Sequence, residues 1–221
     1  MAADERLVQA ANAIDLSALF SGCKTSLDFS PSISSTVYDL KTLPPDLLDW
    51  ALNLVKSNLY DQYVAAKDTG WSSSDKLGEM TEENARYVIA TETTSDGSTA
   101  RVGFLYFQFT MEDTCDPEGE EADADSGSEE ERQIPVVYCY ELQLEEAYQR
   151  RGLGTYFMNL LEELGLKYQM KKSMLTVFKS NTSAIAFYTN RGYDIDGISP
   201  SNHLPPRRAA RISYEIFSKS L

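Results

Sequence analysis

The sequence predicts an α/β domain, on three observations. Two strand-like runs, Tyr87 to Thr91 and Val102 to Thr110, flank the turn signal Ser95-Asp96-Gly97 and read as an antiparallel hairpin. A third run, Val136 to Leu144, leads through a glycine turn into an amphipathic helix. A fourth, Met174 to Phe178, is again followed by a helical pattern. With 221 residues, 42% apolar and 11% aromatic, the chain can bury one substantial core, whereas two full domains would each be small.

Taken in order, Asp4 to Phe20 carries Leu7, Ala10, Ala11, Ile14 and Ala18 at helical spacing and reads as a docked or frayed helix. Pro44-Pro45-Asp46 opens a longer helix to about Ala66, with Leu47, Trp50, Ala51, Leu54, Val55 and Leu59 on one stripe; proline suits a first turn, where no N–H is needed. Lys67 to Glu83, rich in Gly, Ser, Asp and Lys, reads as a loop. Tyr60, Tyr63 and Trp71 stand at its edge and either line a cleft or anchor the loop on the core. Residues 112–131 alternate Asp and Glu with Gly, Ser and Ala and read as a disordered acidic insertion, a solvated loop in the first instance. In the strand that follows, alternation puts Val136, Tyr138, Tyr140, Leu142 and Leu144 on one face and Val137, Cys139, Glu141 and Gln143 on the other. Glu141 is the exception, a carboxylate in the middle of an apolar strand.

Composition narrows the function. A net charge of −14 argues against nucleic acid and suits a cationic partner, or simply keeps the chain in solution. Cys23, Cys115 and Cys139 are odd in number and far apart, which predicts a reducing compartment and no metal site. His203 is the lone histidine, so a hydrolase built on a positioned histidine is not expected. The first ten residues lack the layout of a secretory signal, and no apolar run approaches the roughly 18 residues of a membrane span. These features fit a protein of the cytoplasm and nucleus, and a monomer is the expected state.

The strongest local signal is Gln149-Arg150-Arg151-Gly152-Leu153-Gly154, between the strand ending at Leu144 and a helix over Thr155 to Tyr168. A helix N-terminus offers unpaired N–H donors and about half a positive charge, and glycines let a phosphate approach the backbone. A dinucleotide fingerprint would need a small residue where Phe157 stands, and a nucleotide-triphosphate loop would need Gly-Lys-Ser/Thr, which is absent.

What remains, Gln/Arg-x-x-Gly-x-Gly, resembles the acetyl-CoA loop of the GNAT superfamily of N-acetyltransferases. Asn181, the helix carrying Ala184, Phe187 and Tyr188, and the turn Arg191-Gly192-Tyr193 resemble that superfamily's second half-site. A closer resemblance spans roughly Ser35 to Lys219. Tyr138-Cys139-Tyr140-Glu141-Leu142-Gln143-Leu144 and Met170-Lys171-Lys172-Ser173-Met174-Leu175-Thr176-Val177-Phe178-Lys179 are similar to the NatD family, N-alpha-acetyltransferases of histone tails beginning Ser-Gly-Arg-Gly. Shorter matches are Leu59-Tyr60-Asp61-Gln62, Gly70-Trp71, Met80-Thr81, Ser199-Pro200-Ser201 and Ser213-Tyr214-Glu215-Ile216.

The resemblance implies a GNAT fold, a mixed and mostly antiparallel twisted sheet flanked by helices and splayed near the cofactor. It would occupy residues 35–221 behind a helical N-terminal extension over 1–34. Acetyl-CoA is the implied donor, held by Leu142, Gln143, Leu144, Arg150, Arg151, Gly152, Leu153, Gly154, Thr155 and Asn181. The implied partner is a basic histone tail, in a cleft of Tyr60, Trp71, Tyr138, Tyr140, Thr176 and Tyr214. Two positions depart from the family: its acidic residue late in the third strand aligns with Thr110, and its serine before Ser199-Pro200 aligns with Ile198.

Amide formation needs a neutral amine, yet an α-amine with a pKa of ~7.7 to 8.0 is mostly protonated at neutral pH. Glu141 is the expected base, because burial makes a carboxylate a stronger one. Backbone N–H groups of Leu142 to Leu144 would meet the acetyl oxygen, as the superfamily resemblance implies, and Tyr188 would protonate the departing sulfur. The alternatives are an acetyltransferase for other N-termini, lysine or small amines, and an acyl-CoA-binding module without turnover, in which Glu141 is structural.

Overall fold

The computed structural model describes residues 3–115 and 132–221. It is an α/β fold around one seven-stranded sheet in the order β1-β2-β3-β4-β5-β7-β6. The strands are β1 (Ile33–Asp39), β2 (Arg86–Thr93), β3 (Thr99–Asp113), β4 (Gln133–Leu144), β5 (Lys172–Phe178), β6 (Asp194–Ile195) and β7 (Tyr214–Ser220). Every neighbouring pair is antiparallel except β4 and β5. These two are joined through helix α5 (Leu153–Lys167), as a parallel connection requires.

Alternation along β2 and β3 divides the core in two. Tyr87, Ile89, Phe104 and Tyr106 point to α3 (Pro45–Ala65), which answers with Ala51, Leu54 and Val55. Val88, Leu105 and Phe107 point the other way, to Leu153, Phe157, Leu160, Leu161 and Leu164 of α5. The helical stripes legible in the sequence thus bury against opposite faces of one sheet. The hairpin also forms as expected, Thr94 N–H donating to Ser98 O around Gly97, whose φ of +82° is the turn's left-handed residue.

The N-terminal segment folds as α1 (Ala3–Asn12) and α2 (Leu16–Leu19), split where Asp15 caps the second helix. Val8, Ala11 and Leu19 are buried in the α5-side core. The end of α2 is held by Lys167, whose ammonium donates to the carbonyls of Ala18, Leu19 and Ser21 at 3.0, 2.8 and 2.7 Å.

Three expectations are corrected. The loop over 67–83 contains a helix, α4 (Ser73–Met80), whose first turn is capped by Ser72 Oγ accepting from Asp75 N–H at 3.3 Å. The acidic insertion starts later than 112, since Glu112 and Asp113 extend β3 opposite Ile134 and Gln133; residues 116–131 lie outside the described residues. The face assignment along β4 fails at Tyr140. Tyr106 pairs with Glu141 and the next residue, Phe107, with Cys139, so Tyr140 is an extra residue in β4. Such a bulge inverts the alternation. Val136 and Tyr138 share the α3 face with Glu141 and Gln143, while Val137 and Cys139 share the α5 face with Leu142 and Leu144.

The rest of the fold is small: α6 (Thr182–Asn190), α7 (Pro200–His203) and α8 (Pro206–Ala209) connect the last strands. Among the described residues no helix is long and apolar enough to cross a membrane, and no cluster of His, Cys, Asp or Glu could hold a metal ion.

Candidate active site

Strands β4 and β5 are hydrogen-bonded only from Val136 to Cys139 and from Lys172 to Leu175. Beyond that point β4 stays with β3 as far as Leu144, and β5 stays with β7 as far as Phe178. The bulge at Tyr140 sits where the two part and supplies the bend. A cavity of about 490 Å³ opens between them, lined by Cys139 to Gln143 on one side and Leu175 to Phe178 on the other. The edge of β4 from Tyr140 onward therefore faces space where a strand partner would be, and its free backbone groups need other partners. Side chains supply some of them: the Leu144 carbonyl accepts from Asn58 Nδ2 at 3.1 Å and from Gln149 Nε2 at 3.3 Å.

The glycine turn stands at the open end of β4. Gly152 is the N-cap of α5 with φ +92°, and no side chain caps the helix. The first amide to bond back is that of Tyr156, to Gly152 O at 2.9 Å. The N–H groups of Leu153, Gly154 and Thr155 consequently lie at the uncapped helix end, where they fit a pyrophosphate. Arg150, itself at φ +58°, and Arg151 are exposed beside it. The two glycines serve different purposes. Gly152 supplies the left-handed backbone, whereas a Cβ on Gly154 would come within 3.3 Å of the Phe187 ring, so its smallness lets α6 approach α5. The Leu153 side chain is fully buried, leaving only its backbone for a ligand.

Glu141 lies in the cavity wall with 5% of its side chain exposed. Its surroundings are more polar than the sequence suggests. Lys76 Nζ is 3.0 Å from Oε1, and Gln143 Nε2 donates to Oε2 at 2.8 Å. Gln143 is in turn held by Asn58 Nδ2 at 2.9 Å. Lys76 also donates to both oxygens of Glu79, at 2.8 and 3.0 Å. Burial alone would lower the affinity of Lys76 for its proton, but Glu141 and Glu79 outweigh it and raise its pKa, so it stays an ammonium. Glu79 moves upward, pushed by burial and only partly held back by Lys76.

Tyr188, on α6, lines the cavity near the parting of the strands. Burial first, then Cys139, hold its pKa far above the ordinary tyrosine value, so it remains a neutral O–H donor. Asn181 caps α6, its Oδ1 accepting from Ala184 N–H at 3.2 Å and from Ser183 Oγ at 3.0 Å. Its part in cofactor binding would fall to the amide nitrogen.

The expected cleft residues are brought together in part. Tyr138, Tyr140, Thr176 and Tyr214 line the cavity, and Tyr138 and Thr176 share a hydrogen bond of 2.6 Å. Tyr60 and Trp71 do not line it. Tyr60 is exposed on α3, and Trp71 donates to Ser73 Oγ at 2.9 Å. Trp71 packs edge-on against both Tyr60 and Tyr63, and Tyr63, about one helical turn beyond the cavity-lining Leu59, is the ring that reaches the cavity. Sequence reasoning also passed over Lys76, Glu79 and Glu112, which line the cavity. For Lys76 and Glu79 the signal was present in Ser72-x-x-Asp75, a helix-start pattern ahead of Leu77 and Met80.

Parted parallel strands, an uncapped helix end beside them and a buried carboxylate and tyrosine in the gap define an acyl-CoA-dependent acyltransferase. Residues 75–193, more than half of the chain, match the family model described as the acetyltransferase (GNAT) family, and the chain belongs to that family. Its acyl donor is acetyl-CoA. Among solved structures, an acetyltransferase from Streptococcus agalactiae is similar with a TM-score of 0.56 at 14% identity, over 87% of this chain and 100% of that one. The NatC complex bound to Gag peptide and CoA is similar with a TM-score of 0.54 at 13% identity, over 86% and 99%. A domain from Methanocaldococcus jannaschii has a TM-score of 0.53 at 10% identity, over 86% and 99%. At these identities the likeness concerns the fold.

Proposed function

We propose that this chain acetylates the α-amine of protein N-termini, and that its acceptor is the basic histone tail beginning Ser-Gly-Arg-Gly. The observation that carries the reading is the charge of the cavity: among the described residues three carboxylates, Glu79, Glu112 and Glu141, face one ammonium, Lys76, among tyrosines. A surplus of negative charge attracts an amine that arrives protonated on a cationic tail. The similarity of Tyr138–Leu144 and Met170–Lys179 to NatD supports the histone acceptor. Such an acceptor is met in the nucleus and the cytoplasm.

In this reading Glu141 takes the proton of the amine, directly or through water. The amine nitrogen bonds to the acetyl carbon as the carbon–sulfur bond of acetyl-CoA breaks. Tyr188 donates its proton to the sulfur and is restored, through water, by the second proton that the nitrogen sheds on becoming an amide, while backbone N–H groups of Leu142 to Leu144 receive the acetyl oxygen.

The test is the mass of a synthetic Ser-Gly-Arg-Gly peptide after incubation with protein and acetyl-CoA. One acetyl group is expected on the free peptide and none on the same peptide blocked at its N-terminus. Acetylation of a lysine or polyamine acceptor, with the free peptide unmodified, would contradict the reading.

A further inference from the structure

Lys76 is the one lysine or arginine in the cavity wall among the described residues, and the transfer chemistry above leaves it without a task. A buried lysine costs stability unless its charge is met. Here it is met twice over. Its side chain is 9% exposed, its Nζ touches Glu141 at 3.0 Å and Glu79 at 2.8 Å, and it lies 5.4 Å above the Tyr63 ring. One cation is thus shared by two carboxylates. Gln143 grips the second oxygen of Glu141, so that carboxylate is held at both ends.

We propose that Lys76 is a positioning residue for Glu141, fixing the direction of its carboxylate and setting by its charge the pH at which the incoming amine can be deprotonated. The proposal rests on the reading of Glu141 as the base. Lys76 is not the base itself, because two carboxylates keep it protonated. Nor do its other neighbours supply charge near neutral pH. Tyr63 of α3, Tyr87 of β2, Tyr106 of β3, Cys139 and Tyr140 of β4 and Tyr188 of α6 are all pushed upward, in each case mainly by burial. Among the described residues the charged groups around Glu141 are therefore Lys76 and Glu79, with Glu82 next to Glu79 and Glu112 elsewhere in the same cavity wall.

The sign follows. Without Lys76 the cavity is more negative, protons are held more tightly by both the carboxylates and the bound amine, and activity needs a higher pH. Without the charge of Glu79 the reverse holds.

The experiment is the pH dependence of kcat at saturating acetyl-CoA and peptide, for the parent and for Lys76→Met, Lys76→Arg, Glu79→Gln and Glu141→Gln. The acidic limb should lie about one pH unit higher in Lys76→Met and lower in Glu79→Gln. Lys76→Arg should return it towards the parent position. CoA binding reports whether each variant keeps its fold. If Lys76→Met fails to fold, the downward shift in Glu79→Gln supports the proposal and an unshifted limb overturns it. Limbs that coincide with the parent's, or that shift in one direction in both variants, overturn it as well. Near-normal turnover in Glu141→Gln removes the base and the proposal together; lost turnover there, with an unshifted Lys76→Met limb, overturns the role of Lys76 alone.

Discussion

Strands β4 and β5 are built two ways along their length. From Val136 to Cys139, β4 lies in register with Lys172 to Leu175, and its side chains are apolar and buried on both faces of the sheet. From Tyr140 to Leu144 the same strand has lost that partner, and its groups are met one at a time: the Leu144 carbonyl by Asn58 and Gln149, the Glu141 carboxylate by Lys76 and Gln143. A sheet can be opened for a ligand only where the free edge finds substitute partners, and here these come from α3, α4 and the glycine turn. In the proposed reading the closed half contributes stability and the open half contributes chemistry.

That contrast can be broken by variants at either end. The largest effect on stability is expected in the closed half. Met174 is fully buried in the cluster with Ile134, Val136 and Tyr138, so Met174→Ala should cost about 3 kcal/mol and lower Tm by roughly 6 to 12 °C. Its KM for acetyl-CoA, measured below the transition, should stay at the parent value. A smaller effect of the opposite kind is expected from Asn58→Ala. It removes donors to Gln143 Oε1 and Leu144 O, costs about 1 kcal/mol in the melting curve, and raises the KM for acetyl-CoA severalfold. If Met174→Ala moves KM more than Asn58→Ala does, the division of labour between the two halves is wrong.

Much of this was legible in the residues. The stripes on α3 and α5 and the alternation in β2, β3 and β5 are strong periods, and the glycine turn stood out because a strand and a helix bracket it. Other parts left weaker traces. β1, reading Ile33-Ser34-Ser35-Thr36-Val37-Tyr38-Asp39, is an edge strand whose polar residues mask its period. The bulge at Tyr140 has no local signature, because an inserted residue shows only in its pairing across the sheet; it moved Glu141 to the face of Tyr138 and so to the face of α4. α4 was hidden by its own composition, since Ser, Asp, Lys and Gly read as loop when their burial is unknown. Lys76, the charged partner of Glu141, was missed with it.

The central claim is that the open edge of β4 and the start of α5 together receive acetyl-CoA. Amide hydrogen exchange, with and without saturating CoA, tests it most directly. Protection is expected at Tyr140 to Leu144 and at Gly152 to Thr155, with exchange at Val136 to Cys139 unchanged. CoA that binds while those open-edge and helix-start amides exchange as before would contradict it.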